Sequence, residues 1–165
     1  MEPSKNDTQL RAYISGPLTE LPTHISLHEV QGFYVKAALV AEDALGIRGF
    51  VPHEHFDPST MPNVTPKDIY QVESEMIMKQ TSVLIVCALA PSWGGGGECQ
   101  LANDCGIPLV VLKRKNQKFT RYVLGMPLLN AVIEYDTEDE AMILLAEHLQ
   151  KMKQNNEIRG GLYEK

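Results

Sequence analysis

Short apolar runs alternate along this chain with stretches in which apolar positions recur every three or four residues. The first run, Leu10 to Ser15, reads as a strand that stops at Gly16-Pro17, a strong turn signal. Helical spacing follows. Ile25, Leu27, Val30, Phe33, Tyr34, Ala37, Ala38, Val40 and Ala41 predict a helix from about Ser26 to Leu45, with Gly46 as its stop. Gly49-Phe50-Val51 makes a brief second strand, cut short by Pro52. His53 to Pro66 reads as a proline-rich loop, and Pro66 suits the first turn of a helix capped by Thr65. That helix runs to about Gln80 on Ile69, Val72, Met76 and Ile77. Val83 to Ala88 is apolar and β-branched, a buried third strand, and it leads into a glycine loop, Ala90 to Gly97. Beyond the loop the pattern gives a helix from Glu98 to Cys105, a fourth strand from Leu109 to Leu112 and a short helix from Arg121 to Leu124. A fifth strand, Ala131 to Tyr135, and a last helix, Glu138 to about Gln154, complete the set. Residues 1–9 and 155–165 are expected to be flexible.

Strands that alternate with helices imply parallel pairing with helices on both faces. The expectation is one α/β domain over residues 1–165, a doubly wound five-stranded parallel sheet of flavodoxin or Rossmann-like kind. Ligands of such sheets bind beyond the carboxyl ends of the strands. That rule gathers Ser15 and Gly16, His53 to Asp57, and Pro91 to Glu98 at one edge.

Composition narrows the function classes. A net charge of −6 argues against general nucleic-acid affinity, which depends on many Lys and Arg contacts to phosphates. Cys87, Cys99 and Cys105 form no CxxC pair and are odd in number, so neither a zinc ribbon nor a disulfide framework is indicated. The polar stretch Met1 to Arg11 lacks the apolar core of a signal peptide, and no apolar run approaches the roughly 20 residues that span a bilayer. A cytoplasmic, soluble protein with no membrane partner is the expectation.

Candidate chemistry concentrates around the third strand. Four consecutive glycines, Gly94 to Gly97, let a ligand approach the main chain closely. Glu98 then reads either as a carboxylate acting on a sugar or as a first-turn residue complementing the helix dipole. Trp93 either stacks on a base or packs under the loop. Tyr13 offers a hydroxyl and Gly16 a close backbone approach at the same edge, with Ser15 beside them as a substrate contact. His53-Glu54-His55 lacks a third ligand at convincing spacing, so no metal is expected, and His53 and His55 stand as substrate contacts. Glu73 and Glu75 read by composition as a solvated helix face. Lys113, Arg114, Lys115, Lys118 and Arg121 form a surface patch able to steer a phosphate. Cys99 has no accompanying base and reads as structural.

On these residues the chain resembles the nucleoside 2-deoxyribosyltransferase family, including its nucleotide-hydrolysing branch, the 2-deoxynucleoside 5-monophosphate N-glycosidases. The likeness rests on Tyr13-Ile14-Ser15-Gly16-Pro17-Leu18 and on Pro91-Ser92-Trp93-Gly94-Gly95-Gly96-Gly97-Glu98, which looks like the family's PS-x-G-x-G-x-E loop. The resemblance implies Glu98 as nucleophile, Tyr13 as its hydrogen-bond partner and Ser92 as a contact to the sugar 5-oxygen or its phosphate. The family carries an aspartate on the helix before the third strand. In ungapped register Ser74 stands there, and either neighbour, Glu73 or Glu75, is the candidate acid and base. The implied reaction cleaves an N-glycosidic bond of a nucleoside or nucleoside 5-monophosphate, with water or a second base as acceptor and no cofactor. The alternative is a nucleotide-binding module of the same fold without catalysis. A homo-oligomer is also implied, in which Arg121 or the Gly160-Gly161-Leu162-Tyr163 tail of one copy completes a neighbour's pocket.

Overall fold

The computed structural model describes residues 10–57 and 60–159. Its elements are β1 (Ala12–Ser15), α1 (Leu27–Leu45), α2 (His53–Phe56), α3 (Pro66–Gln80), β2 (Val83–Cys87), α4 (Trp93–Asp104), β3 (Leu109–Arg114), α5 (Arg121–Leu124), β4 (Leu129–Tyr135) and α6 (Glu138–Gln154). Four strands pair in parallel in the order β1-β2-β3-β4. The sheet therefore has four strands, not the five expected. Gly49-Phe50-Val51 contributes one bridge beside β1: Phe50 N–H donates to the Ala12 carbonyl at 2.8 Å, and Ile14 N–H to the Phe50 carbonyl at 2.9 Å. Pro52 follows at once and lacks the N–H a longer ladder would need.

Helix ends follow the local chemistry that the sequence announces. Ser26 and Glu29 form a capping box at the start of α1, and Gly46 ends it in the left-handed region at φ 92°. Thr65 and Asp68 do the same for α3, with Pro66 in its first turn. One short turn escaped the pattern. His53 to Phe56, read as loop, closes a single helical turn on bonds from His55 and Phe56 N–H to the Pro52 carbonyl, both at 3.0 Å.

Side chains of a strand point to opposite faces in turn, and the alternation divides the core in two. Ala12, Ile14, Val83, Ile85, Cys87, Val110 and Leu112 pack under α1 and α6. Tyr13, Leu84, Val86, Leu109 and Val111 face the other way, under α3 and α4. Within residues 155–159, Ile158 is buried in the first cluster, and Glu157 accepts from Asn130 Nδ2 at 2.8 Å. Of the stretches expected to be flexible, residues 1–9 and 160–165 lie outside the described residues.

Candidate active site

The glycine stretch is helical. Ser92 caps α4 by accepting from Gly95 N–H at 3.0 Å, and Gly96 N–H donates to the Ser92 carbonyl at 3.1 Å. Helical glycine costs about 1 kcal/mol relative to alanine, yet the cap holds the turn and Gly95 packs close to Ser15. A Cβ on Gly95 would lie 3.3 Å from Ser15 Oγ. Because α4 starts at Trp93 and not at Glu98, Glu98 stands beyond the first turn, where the dipole reading loses its basis.

Glu98 turns back onto β1. Tyr13 hydroxyl donates to its Oε1 at 2.8 Å, and Ser15 hydroxyl donates to its Oε2. Both donors sit on the α3–α4 face of β1, two residues apart, which is the strand period. Burial raises the Glu98 carboxyl above its ordinary range, while the bonds from Ser15 and Tyr13 pull it back by favouring the ionised form. Burial also drives the Tyr13 phenol far up, and the charge of Glu98 adds to it, so Tyr13 stays a donor. Stacking on Phe50, with ring centroids 5.2 Å apart, fixes the Tyr13 ring.

Two cavities lie beside α4, and Glu98 lines the first of them. One, of about 580 Å³, lies between α3 and α4 and is lined by Ile69, Tyr70, Glu73, Ser74, Gly97 and Glu98 among others. The other, of about 310 Å³, opens at the carboxyl ends of β1 and β2, where Ser15, Gly16, Ser92, Gly95, Gly96, Lys118, Phe119 and Tyr122 line it. Glu73 is the second acid at the site. Burial first, and the charge of Glu98 second, push its carboxyl up to about 7. Such a group holds a proton near neutrality, next to a carboxylate that is hydrogen-bonded for ionisation.

Other expected residues stand elsewhere. Glu75 faces Lys79 at 3.3 Å and Gln71 at 3.4 Å on the outer side of α3, and these bonds hold its carboxyl below the usual range. It is not brought to Glu98. His55 stacks on Phe50 with centroids 4.5 Å apart, and His53 lies beside Tyr34, because the α2 turn rotates both away from the two cavities. Burial lowers His53 and leaves its Nδ1 without a partner. Trp93, 99% exposed, neither packs under the glycines nor lines either cavity. Gly94 and Gly97 line the α3–α4 cavity. The basic run is divided: Lys113 pairs with Glu134 and Lys115 with Asp136, so Lys118 alone of the group lines the smaller cavity, and Arg121 does not. Among the described residues, no three His, Cys, Asp or Glu side chains gather as a metal would need. Nor is any helix among them long and apolar enough to cross a membrane.

Phe119 and Tyr122 escaped the residue reading. Tyr122 hydroxyl donates to Gln100 Oε1 on α4 at 2.6 Å, tying α5 to α4 beside the smaller cavity. Their only signal was two aromatics beside a basic run that follows a strand. For Glu73 the signal was better: Ile69, Glu73 and Ile77 fall at i, i+4 and i+8, one stripe of the helix. Buried Ile77 marks that stripe as the inward one.

No protein-family model and no curated protein sequence matches the chain. Its structure is similar to solved ones. A CMP N-glycosidase from Clostridium botulinum, BcmB, aligns at a TM-score of 0.59 and 15% identity over 88% of this chain and 98% of its own. BlsM, a solution structure, aligns at 0.66 and 17% over 92% and 96%. A conserved protein from Enterococcus faecalis V583 aligns at 0.59 and 17% over 85% and 99%. At these identities the likeness establishes a shared fold.

Proposed function

We propose that the protein cleaves the N-glycosidic bond of a nucleoside 5-monophosphate or nucleoside. The observation that carries this reading is Glu98, a carboxylate held by the hydroxyls of Tyr13 and Ser15 and facing a second acid, Glu73, raised to about 7. Cleavage passes through an oxocarbenium-like state that a carboxylate at the anomeric carbon captures and an acid assists by protonating the leaving group. Glu98 attacks the anomeric carbon as the bond to the base breaks, and Glu73 gives its proton to the departing nitrogen. Glu73, now ionised, takes a proton from water as the water oxygen displaces Glu98 from the anomeric carbon. The sugar leaves and Glu73 is protonated again. A second base in place of water would make the same sequence a transfer.

A nucleoside monophosphate is favoured as substrate, because Lys118 and the α4 amide end, with its Ser92 cap, line the smaller cavity. That the similar BcmB is a CMP N-glycosidase supports the same class. Ser74, buried where the family carries an aspartate, favours the inactive binding module; Glu73 beside Glu98 weighs against it. The reading extends to a homo-oligomer in which Arg121, which does not line its own chain's cavity, serves a neighbouring copy. The test is incubation with a panel of nucleosides and their monophosphates, with free base followed by chromatography. Base release that Glu98→Ala lowers by about a thousandfold or more supports the reading. Tight nucleotide binding without turnover would move it to the binding module.

A further inference from the structure

Gly16 invites a ligand-based explanation, yet a side chain of this protein already occupies the space over it. A Cβ at Gly16 would lie 2.3 Å from the Tyr34 hydroxyl oxygen and 2.6 Å from its Cζ. Gly16 does not have positive φ; among the described glycines Gly46 and Gly106 do. Room for Tyr34 is therefore what the missing side chain provides. Tyr34 comes from α1, is 1% exposed, and donates its hydroxyl to the Pro17 carbonyl at 2.6 Å. The two residues it grips, Gly16 and Pro17, directly follow Ser15, whose hydroxyl donates to Glu98.

We infer that Tyr34 is a positioning residue: by filling the space over Gly16 and holding the Pro17 carbonyl, it fixes the turn that aims the Ser15 hydroxyl at Glu98. The ring and the bond act on successive residues of one turn, so the backbone after Ser15 has little freedom to rotate. A hydroxyl on a short side chain keeps its aim only while its own backbone is held. The bearing on turnover rests on the N-glycosidase reading, whereas the Ser15–Glu98 contact can be measured without it.

Groups facing Glu98 are Tyr13 and Ser15 from β1 and Glu73 from α3, with Tyr34 of α1 behind them and Cys99 next along α4. Ser15 is the one among them that Tyr34 reaches through the chain. Carbon-13 labelling of the glutamate carboxyls, with Glu98 assigned by Glu98→Gln, reads its titration in the full-length protein by NMR. Tyr34→Phe keeps the ring and removes the bond to Pro17. Tyr34→Phe and Ser15→Ala should each move the Glu98 midpoint upward, and the double variant should move it no further than Ser15→Ala alone. In turnover, Tyr34→Phe should lower kcat about threefold to tenfold with little change in KM. A Glu98 midpoint unmoved by Tyr34→Phe, or shifts that add in the double variant, overturns the inference. Gly16→Ala enters the same contact from the other side and should give the same upward shift should Tyr34→Phe fail to fold. Coupled titration without base release leaves the inference standing and removes the catalytic reading; base release lost in Glu98→Ala without coupled titration does the reverse.

Discussion

The two faces of β1 use one alternation for opposite ends. Ala12 and Ile14 point into an apolar cluster under α1 and α6, whereas Tyr13 and Ser15 point the other way and carry the hydroxyls that hold Glu98. Four residues thus serve as core on one side and site on the other. The first face is closed by large side chains such as Phe33, Leu145 and Leu149, and the second by a helix whose opening turn is almost bare of side chains. Close packing makes the first face intolerant of lost volume. On the second, a wrong hydrogen bond should matter more than a lost methyl.

Substitutions can sharpen or break that contrast. The largest effect in free energy belongs to the closed face: Leu145→Ala should cost about 2–5 kcal/mol of stability in denaturant unfolding, with activity per folded molecule kept. On the open face, Tyr13→Phe removes one hydroxyl from Glu98 and should slow base release roughly 10- to 100-fold while changing the unfolding midpoint little. A Tyr13→Phe protein as active as the parent would erase the distinction between the faces. Glu73→Gln tests the open face through pH. The folded protein keeps the Glu73 proton up to about 7, against an ordinary value of 4.5, so the folded state binds more protons and loses stability as pH rises between them. Glutamine does not titrate. The variant should therefore match the parent in pH dependence below 4.5 and gain about 1–2 kcal/mol on it above about 7, allowing for solvent screening, while base release falls. In the parent, base release should decline as pH climbs past about 7, where Glu73 gives up its proton. Smallest, and outside both faces, is Ser26→Ala, which removes the α1 cap at about 1 kcal/mol and should leave turnover as it was.

What the sequence made legible follows the same division. Apolar runs and caps are local signals, so β1, β2, α1, α3 and α6 stand close to where periodicity, Ser26, Thr65 and Gly46 put them. The open face depends on information that is not local. Four glycines carry no helical preference of their own, and α4 begins just before them, at Trp93, and runs through them because Ser92 caps the turn and Ser15 packs against Gly95. Which of Glu73 and Glu75 turns inward is a matter of helix phase, about 100° per residue, and the stripe through Ile69 and Ile77 settles it only when those two are chosen over Val72. Residue 72, counted as apolar, is in fact 43% exposed. The second strand shrank to a bridge at Phe50 because an edge lasts only as long as its neighbour and its own proline allow. Glu98 and Tyr13 were legible as a pair through the two motifs alone; their hydrogen bond joins residues 85 apart in sequence.

Trp93 gives this molecule an optical reporter that separates two events normally mixed. It is the one tryptophan of the chain, and in the folded protein it is as open to water as it would be in an unfolded one. Unfolding should leave its emission wavelength almost where it was. Any molecule that settles against the first turn of α4 and covers the indole should shift that emission to the blue, so a fluorescence titration would report contact with that turn, outside both cavities, against a background blind to denaturation.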